Sequence, residues 1–172
     1  LQVTGAPSDE NPLIVINSFS KYFGMTGLRL GWMVVPEKLI PAIERFAQNL
    51  SICPSTPAQW AALACFTPDT LGICEERRRL FKERRDFMIK ALPAAGIQID
   101  SRPDSAFYIY AKTPLNSDDY CQRLLNEALV CAVPGKDFSE SSGDRMMRLS
   151  YANSMANLQE AVRRLQVFNQ GL

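Results

Sequence analysis

Ser18, Phe19, Ser20 and Lys21 are followed by Gly24, Thr26 and Gly27, and then by Arg29, eight residues beyond the lysine. An amine, two hydroxyls and a guanidinium separated by small side chains could bind a phosphate and condense with an aldehyde. A lysine at its ordinary pKa is protonated at neutral pH and is no nucleophile. Desolvation or a neighbouring cation lowers that pKa, which is how Schiff-base lysines arise. Arg29 can serve as that cation and as a forked donor to phosphate oxygens. Ser18 and Ser20 offer hydroxyl donors, and Gly24 and Gly27 let backbone approach a ligand closely. Taken alone, a Ser-x-Ser-Lys is more simply a solvated surface loop.

The flanking elements change that reading. Residues 13–16 are a short, mostly β-branched apolar run, expected as a fully buried strand of a parallel or mixed sheet that ends at Asn17 and Ser18. Residues 31–35 form a second candidate strand, stopped by Pro36. Ligands of open α/β sheets gather beyond the carboxyl ends of strands, which is where Ser18, Ser20 and Lys21 fall. A lysine, a phosphate-sized set of donors and a loop pinned at both ends by a sheet are what pyridoxal phosphate chemistry requires.

A second segment runs Asp144, Arg145, Met146, Met147, Arg148, Leu149, Ser150, Tyr151, Ala152. As a strand it places Met146, Arg148 and Ser150 on one face and Met147, Leu149 and Tyr151 on the other. Arg148 then projects among apolar neighbours, where an unpaired charge is costly, so it needs an anion. A nearby carboxylate of the protein would serve, as would a ligand. Arg145 has the opposite parity and is expected as a surface charge.

The motif Ser18, Phe19, Ser20, Lys21, with Gly24, Met25, Thr26, Gly27 and Arg29, Leu30, Gly31, Trp32 after it, resembles the lysine signature of class I and II aminotransferases. These are pyridoxal phosphate enzymes of the aspartate aminotransferase fold (fold type I). The resemblance implies Lys21 as the lysine that bonds the cofactor, with Ser18 and Arg29, and less firmly Ser20, holding its phosphate. Leu28 stands where many relatives carry tryptophan. Pro103, Asp104, Ser105, Ala106, Phe107, Tyr108 is similar to a Pro-x-Gly-Ala-Phe-Tyr stretch of the family, with Ser105 in place of glycine. Pro134 and Gly135, then Arg148, Leu149, Ser150, Tyr151, Ala152, then an amphipathic helix, resemble its carboxyl-terminal pattern. There the matching arginine clamps the substrate α-carboxylate, and the resemblance gives that role to Arg148.

The remaining chain supplies the order of parts. A helix is expected from about Pro41, with Leu39, Ile43, Phe46, Ala47 and Leu50 at 3.6-residue spacing. Cys53 to Pro57 break it, and a short Ala-rich helix containing Gln59 covers residues 58–66. Residues 71–92 read as a long amphipathic helix with Ile73, Leu80, Phe81, Phe87, Met88 and Leu92 inward. Its interleaved acids and bases at i+3 and i+4 favour a self-paired, solvated face over a nucleic-acid surface. A strand at 106–110, a helix at 120–129, a short strand at 130–133 and a last helix through Leu158, Ala161, Val162, Leu165 and Phe168 follow. The expected domains are residues 1–70, the end of the large cofactor-binding domain, and residues 71–172, the small domain. The expected fold class is α/β, the C-terminal part of the aspartate aminotransferase-like fold, with a remnant of the large-domain sheet plus the α+β small domain.

Composition bounds the rest. The chain has 172 residues, 47% hydrophobic, net charge +1, five cysteines and no histidine. Lack of histidine excludes His-dependent triads and most zinc hydrolase schemes, and the cysteine spacings suit neither zinc nor a disulfide framework. No metal, nucleic-acid or membrane partner is expected, and a cytoplasmic location is. The resemblance implies pyridoxal 5'-phosphate as cofactor, an amino acid and a 2-oxo acid as substrates, and a homodimeric parent. Family members are more than twice as long, and the upstream aspartate and aromatic residues that serve the pyridine ring are not in this sequence. A fragment with little or no activity by itself is therefore expected. Alternative functions on the same scaffold are a pyridoxal phosphate β-lyase and a ligand-sensing domain of a transcription regulator.

Overall fold

A computed structural model describes Ser8, Glu10 and residues 12–172. Residues 1–5, which resemble the family's loop just before the lysine strand, lie outside the described residues. The chain divides into two compact units, one ending at Glu76 and the other spanning Arg77–Leu172. The division falls six residues past the boundary expected at residue 70, within a continuous helix. A hydrogen bond from Tyr22 Oη to Glu75 Oε1, 2.8 Å long, ties the first turns of that helix to the first unit.

In the first unit, β1 (Val15–Ser18) and β2 (Gly31–Val34) pair antiparallel, with Ser18 opposite Gly31 and Val15 opposite Val34. The strand expected as buried is therefore an exposed ribbon: Ile16 is 75% exposed and Met33 48%. A two-stranded ribbon has no second layer to cover its faces, so apolar character alone cannot bury it. The helix α1 (Ile40–Leu50) carries Pro41 in its first turn, where a missing N–H costs nothing. Its apolar stripe is likewise uncovered, with Phe46 and Leu50 exposed. Next comes α2 (Thr56–Ala64), again with a proline in the first turn. Phe19, Ala62 and Cys65 form the buried cluster of this unit, backed by Phe23, Met25, Leu30 and Trp32.

The long helix α3 runs Pro68–Ala94. Thr67 accepts from Thr70 N through its hydroxyl at its start. Pro93 lies inside the last turn, and Gly96 (φ +81°) terminates the helix, because a left-handed residue is what releases the chain. Its polar face self-pairs as expected: Lys82 and Arg85 reach Asp86 at 2.8 and 2.7 Å. Hydrogen bonds from Lys82 and Arg85 hold the Asp86 carboxyl down to about 2. Met88 and Leu92 are buried as expected, but Ile73 and Leu80 are exposed. Cys74 is buried near its start, and its part in the second unit's core begins at Phe81.

In the second unit, β3 (Tyr108–Lys112), β4 (Val133–Pro134) and β5 (Met146–Ser150) form an antiparallel sheet in the order β3-β5-β4. The first strand begins two residues later than its sequence suggests, because Ala106 is in the left-handed region (φ +58°). Only the end of the strand expected at 130–133 pairs, and Cys131 is exposed. Between the strands lies α4 (Ser117–Ala128), capped by Asn116, and α5 (Met155–Gln170), capped by Ser154, closes the chain. Ile109, Ala111, Met147 and Leu149 bury one sheet face in a core shared with Met88, Leu92, Tyr120, Leu124, Leu158 and Leu165. The opposite face carries Tyr108, Tyr110, Met146 and Arg148. No helix among the described residues is long and apolar enough to cross a membrane.

A buried polar relay ties the helices together. Tyr120 Oη donates to Asn169 Oδ1 at 2.7 Å, and Asn169 Nδ2 donates to the Ala95 carbonyl at 2.6 Å. Burial pushes the Tyr120 phenol up to about 12. The neutral phenol is thus favoured in the folded state. Its contribution is complete below the ordinary value of 10.0 and is lost as pH rises from there towards 12. Urea unfolding of the chain and of Tyr120→Phe between pH 9 and 12 checks this. The variant is expected to lose about 1 kcal/mol at pH 9, and its stability should fall less steeply with rising pH.

Candidate active site

The loop between β1 and β2 is built around one inward residue. Phe19 is 6% exposed, and its ring meets Phe23, Trp32 and Phe66 with centroids 5.3, 4.7 and 6.0 Å away. Ser18 on one side is exposed and Ser20 on the other half-buried, as alternation along an extended segment demands. Phe19 N donates to the Leu30 carbonyl, extending the ribbon by one bond. Gly31 has to be glycine, since a Cβ there would lie 2.7 Å from the Asn17 carbonyl oxygen.

Beyond Phe19 the chain folds back on itself. Ser20 N donates to Ser18 Oγ at 3.0 Å, and Gly24 N to the Lys21 carbonyl at 3.2 Å, closing a turn with Gly24 at φ +70°. Thr26 is the brace of the loop: its hydroxyl donates to the Ser20 carbonyl at 2.9 Å, and its own carbonyl accepts from Arg29 Nη1 at 2.9 Å. Arg29 sits in the left-handed region (φ 52°), a conformation that non-glycine residues adopt at a cost and that clusters at functional sites. Ser18, Ser20, Lys21 and Arg29 are thus carried on one hydrogen-bonded loop, with Lys21 and Arg29 both exposed. The brace was not evident from sequence, where Thr26 reads only as a small residue in the interval. A hydroxyl six residues past Ser20 was the available signal.

Arg148 belongs to the second unit. It lies on β5 opposite Tyr110 of β3 and Val133 of β4. Its guanidinium carbon stands 4.3 Å from the ring centroid of Tyr108 and 4.3 Å from that of Phe138. No carboxylate of the described residues pairs with it, so its place among apolar neighbours is met by ring faces instead. Phe138 escaped the sequence reading; a lone aromatic in a Ser- and Gly-rich loop was the signal. Arg145 is exposed and donates to the Pro114 carbonyl at 3.0 Å. Two carbonyl contacts fix the surroundings of Arg148. Tyr151 Oη donates to the Ala106 carbonyl at 3.0 Å, holding the turn before Tyr108. The Gly135 carbonyl accepts from Phe138 N, Ser139 N and Tyr110 Oη, at 2.9, 3.1 and 3.3 Å.

A family model described as aminotransferase class I and II matches residues 2–165. The chain belongs to the class I and II aminotransferase family. It is 36% identical over 155 residues to a valine–pyruvate aminotransferase of Mycobacterium tuberculosis, covering 88% of this chain and 40% of that protein. It is 34% identical over 156 residues to an aspartate aminotransferase of Thermotoga maritima, covering 91% and 39%. An aminotransferase structure from Mycobacterium tuberculosis superposes with a TM-score of 0.86 at 35% identity, covering 92% of this chain and 42% of that one. The aspartate aminotransferase structure from Thermotoga maritima gives 0.80 at 34% identity, covering 91% and 40%. The chain spans about two fifths of the length of these aminotransferases. Its architecture is accordingly a mixed α/β, partial aspartate aminotransferase-like fold.

Aminotransferases of this family are generally pyridoxal phosphate-dependent, and the donor set of the loop fits that group. Two hydroxyls, a guanidinium with one N–H spent on Thr26, and a primary amine are the functional groups a phosphate and an aldehyde need. A Cβ added at Gly27 would meet nothing within 4 Å, so no protein atom demands glycine there.

Gly31→Ala is expected to destabilise the ribbon by about 1–3 kcal/mol, because the clash is with backbone that cannot rotate away. Thermal unfolding of the purified chain, followed by the fluorescence of Trp32 and Trp60, measures it. Gly27→Ala in the same assay should leave the transition nearly unchanged.

Proposed function

We propose that this chain is the part of a pyridoxal phosphate-dependent aminotransferase that supplies the cofactor lysine, part of the phosphate site and the carboxylate clamp. The reaction is transfer of an amino group between an amino acid and a 2-oxo acid. The observation that supports the reading is the braced loop whose backbone carries Ser18, Ser20, Lys21 and Arg29, in a chain matched over nearly its whole length to this family.

Each residue has a separate task. Ser18 and Ser20 donate hydroxyls to the phosphate, and Arg29 donates its remaining N–H groups and neutralises the charge. Bound pyridoxal phosphate supplies the electron sink that makes loss of the substrate α-proton possible. Lys21 would hold the cofactor through its primary amine, and the same Nζ would take and return the substrate α-proton. Arg148 binds the substrate carboxylate through two parallel N–H···O bonds and so fixes which Cα bond is broken. The substrate side chain is left for the remainder of the protein to select. A homodimeric, cytoplasmic parent completes the proposal.

The test is made on the full-length gene product loaded with cofactor. Lys21→Ala is expected to abolish the cofactor's lysine-bound absorbance band and to lower the half-reaction rate by at least about 1,000-fold. A band that survives this change means another lysine holds the cofactor. The 172-residue chain, mixed with cofactor and an amino donor, is expected to give no multiple turnovers.

A further inference from the structure

Arg148 lies over aromatic rings where a charge would ordinarily be held by pairing. Its guanidinium carbon is 4.3 Å from each of two ring centroids, those of Tyr108 and Phe138. A ring laid on a guanidinium face uses none of the five N–H groups, which all lie in the guanidinium plane. Among the described residues none takes a hydrogen bond from Arg148, so its N–H groups are left for a ligand. A carboxylate of the protein at the guanidinium edge would have consumed the fork.

Phe138 has no other evident reason to be where it is. It is the sole hydrophobic side chain between Gly135 and Arg145, in a stretch otherwise made of glycine, serine and charged residues. It is 46% exposed, so burial does not explain it. Its loop is nonetheless pinned. The Gly135 carbonyl takes three hydrogen bonds, one from Phe138 itself and one from Tyr110 Oη. Tyr110 also meets the Phe138 ring edge-on, with centroids 6.3 Å apart at 90°. Tyr108 follows the turn held by Tyr151 and packs on Phe107 with centroids 4.4 Å apart.

We propose that Phe138 is a positioning residue: with Tyr108 it clamps the Arg148 guanidinium flat, so that the substrate carboxylate meets an ordered fork. This rests on the carboxylate-binding role given to Arg148 above. Ordering a long, rotamer-rich side chain beforehand removes part of the cost of binding, so the effect falls on substrate affinity more than on chemistry.

The test is single-turnover kinetics of the cofactor-loaded full-length gene product with an amino acid substrate, and side-chain NMR of the same unaltered protein. Phe138→Leu is expected to raise the apparent Kd about tenfold while changing the limiting rate less than about twofold. Phe138→Tyr, which keeps a ring face, should recover most of the lost affinity. Arg148→Lys should weaken binding by at least about a hundredfold. If Arg148→Lys does so and Phe138→Leu binds as the unaltered protein does, the clamp is overturned and the carboxylate role stands. If Arg148→Lys binds normally, the carboxylate role falls, and the clamp with it. The NMR measurement does not depend on any variant folding. The Arg148 N–H resonances should be displaced upfield of free arginine by ring currents from both rings, and unshifted resonances overturn the clamp.

Discussion

The alternation along β5 is the constraint from which the second unit follows. Met147 and Leu149 go into the core, so Arg148 between them has to face the other way. A strand cannot bury two residues and also bury the one between them on the same side. The hydrophobic gain of the core therefore sets a positive charge on the far face, beside Tyr108 and Tyr110 of the neighbouring strand. Aromatic rings solvate that charge in part and leave its hydrogen-bonding edge unspent.

The first unit solves a similar problem with one inward ring. Phe19 anchors the segment that also carries Ser18, Ser20 and Lys21, and the polar residues on either side are presented as a consequence. Thr26 then converts a Gly-rich interval into a braced loop through two local hydrogen bonds, at the cost of one left-handed residue. Both halves use the same device. Burial of an apolar neighbour fixes the backbone, and the functional group inherits its direction from that.

Period and punctuation were legible in the sequence wherever a short-range rule governs. The parity of Met147, Arg148 and Leu149, the entry of α1 at Pro41 and the apolar face of α5 are local properties, and they appear as read. Burial was less legible, because it depends on what lies opposite. Residues 13–16 have the composition of an interior strand but stand at an uncovered ribbon, and Ile73 and Leu80 keep the helical spacing where no core meets them. The late start of β3 came from a left-handed alanine, which no composition rule announces. Within the candidate site, the charged residues were legible because their chemistry is unusual in context. Thr26 and Phe138 were not, because each acts through another residue.

Gly135 shows how far a constraint can lie from any reactive atom. A methyl group there would stand 2.6 Å from the carbonyl oxygens of both Gly143 and Met146, so two backbone segments cross with no room between them. Genetic variation at this position is therefore to be interpreted as variation of the arginine's setting, although glycine offers no functional group. Searches for impaired alleles that inspect only side chains capable of bonding a ligand would overlook it.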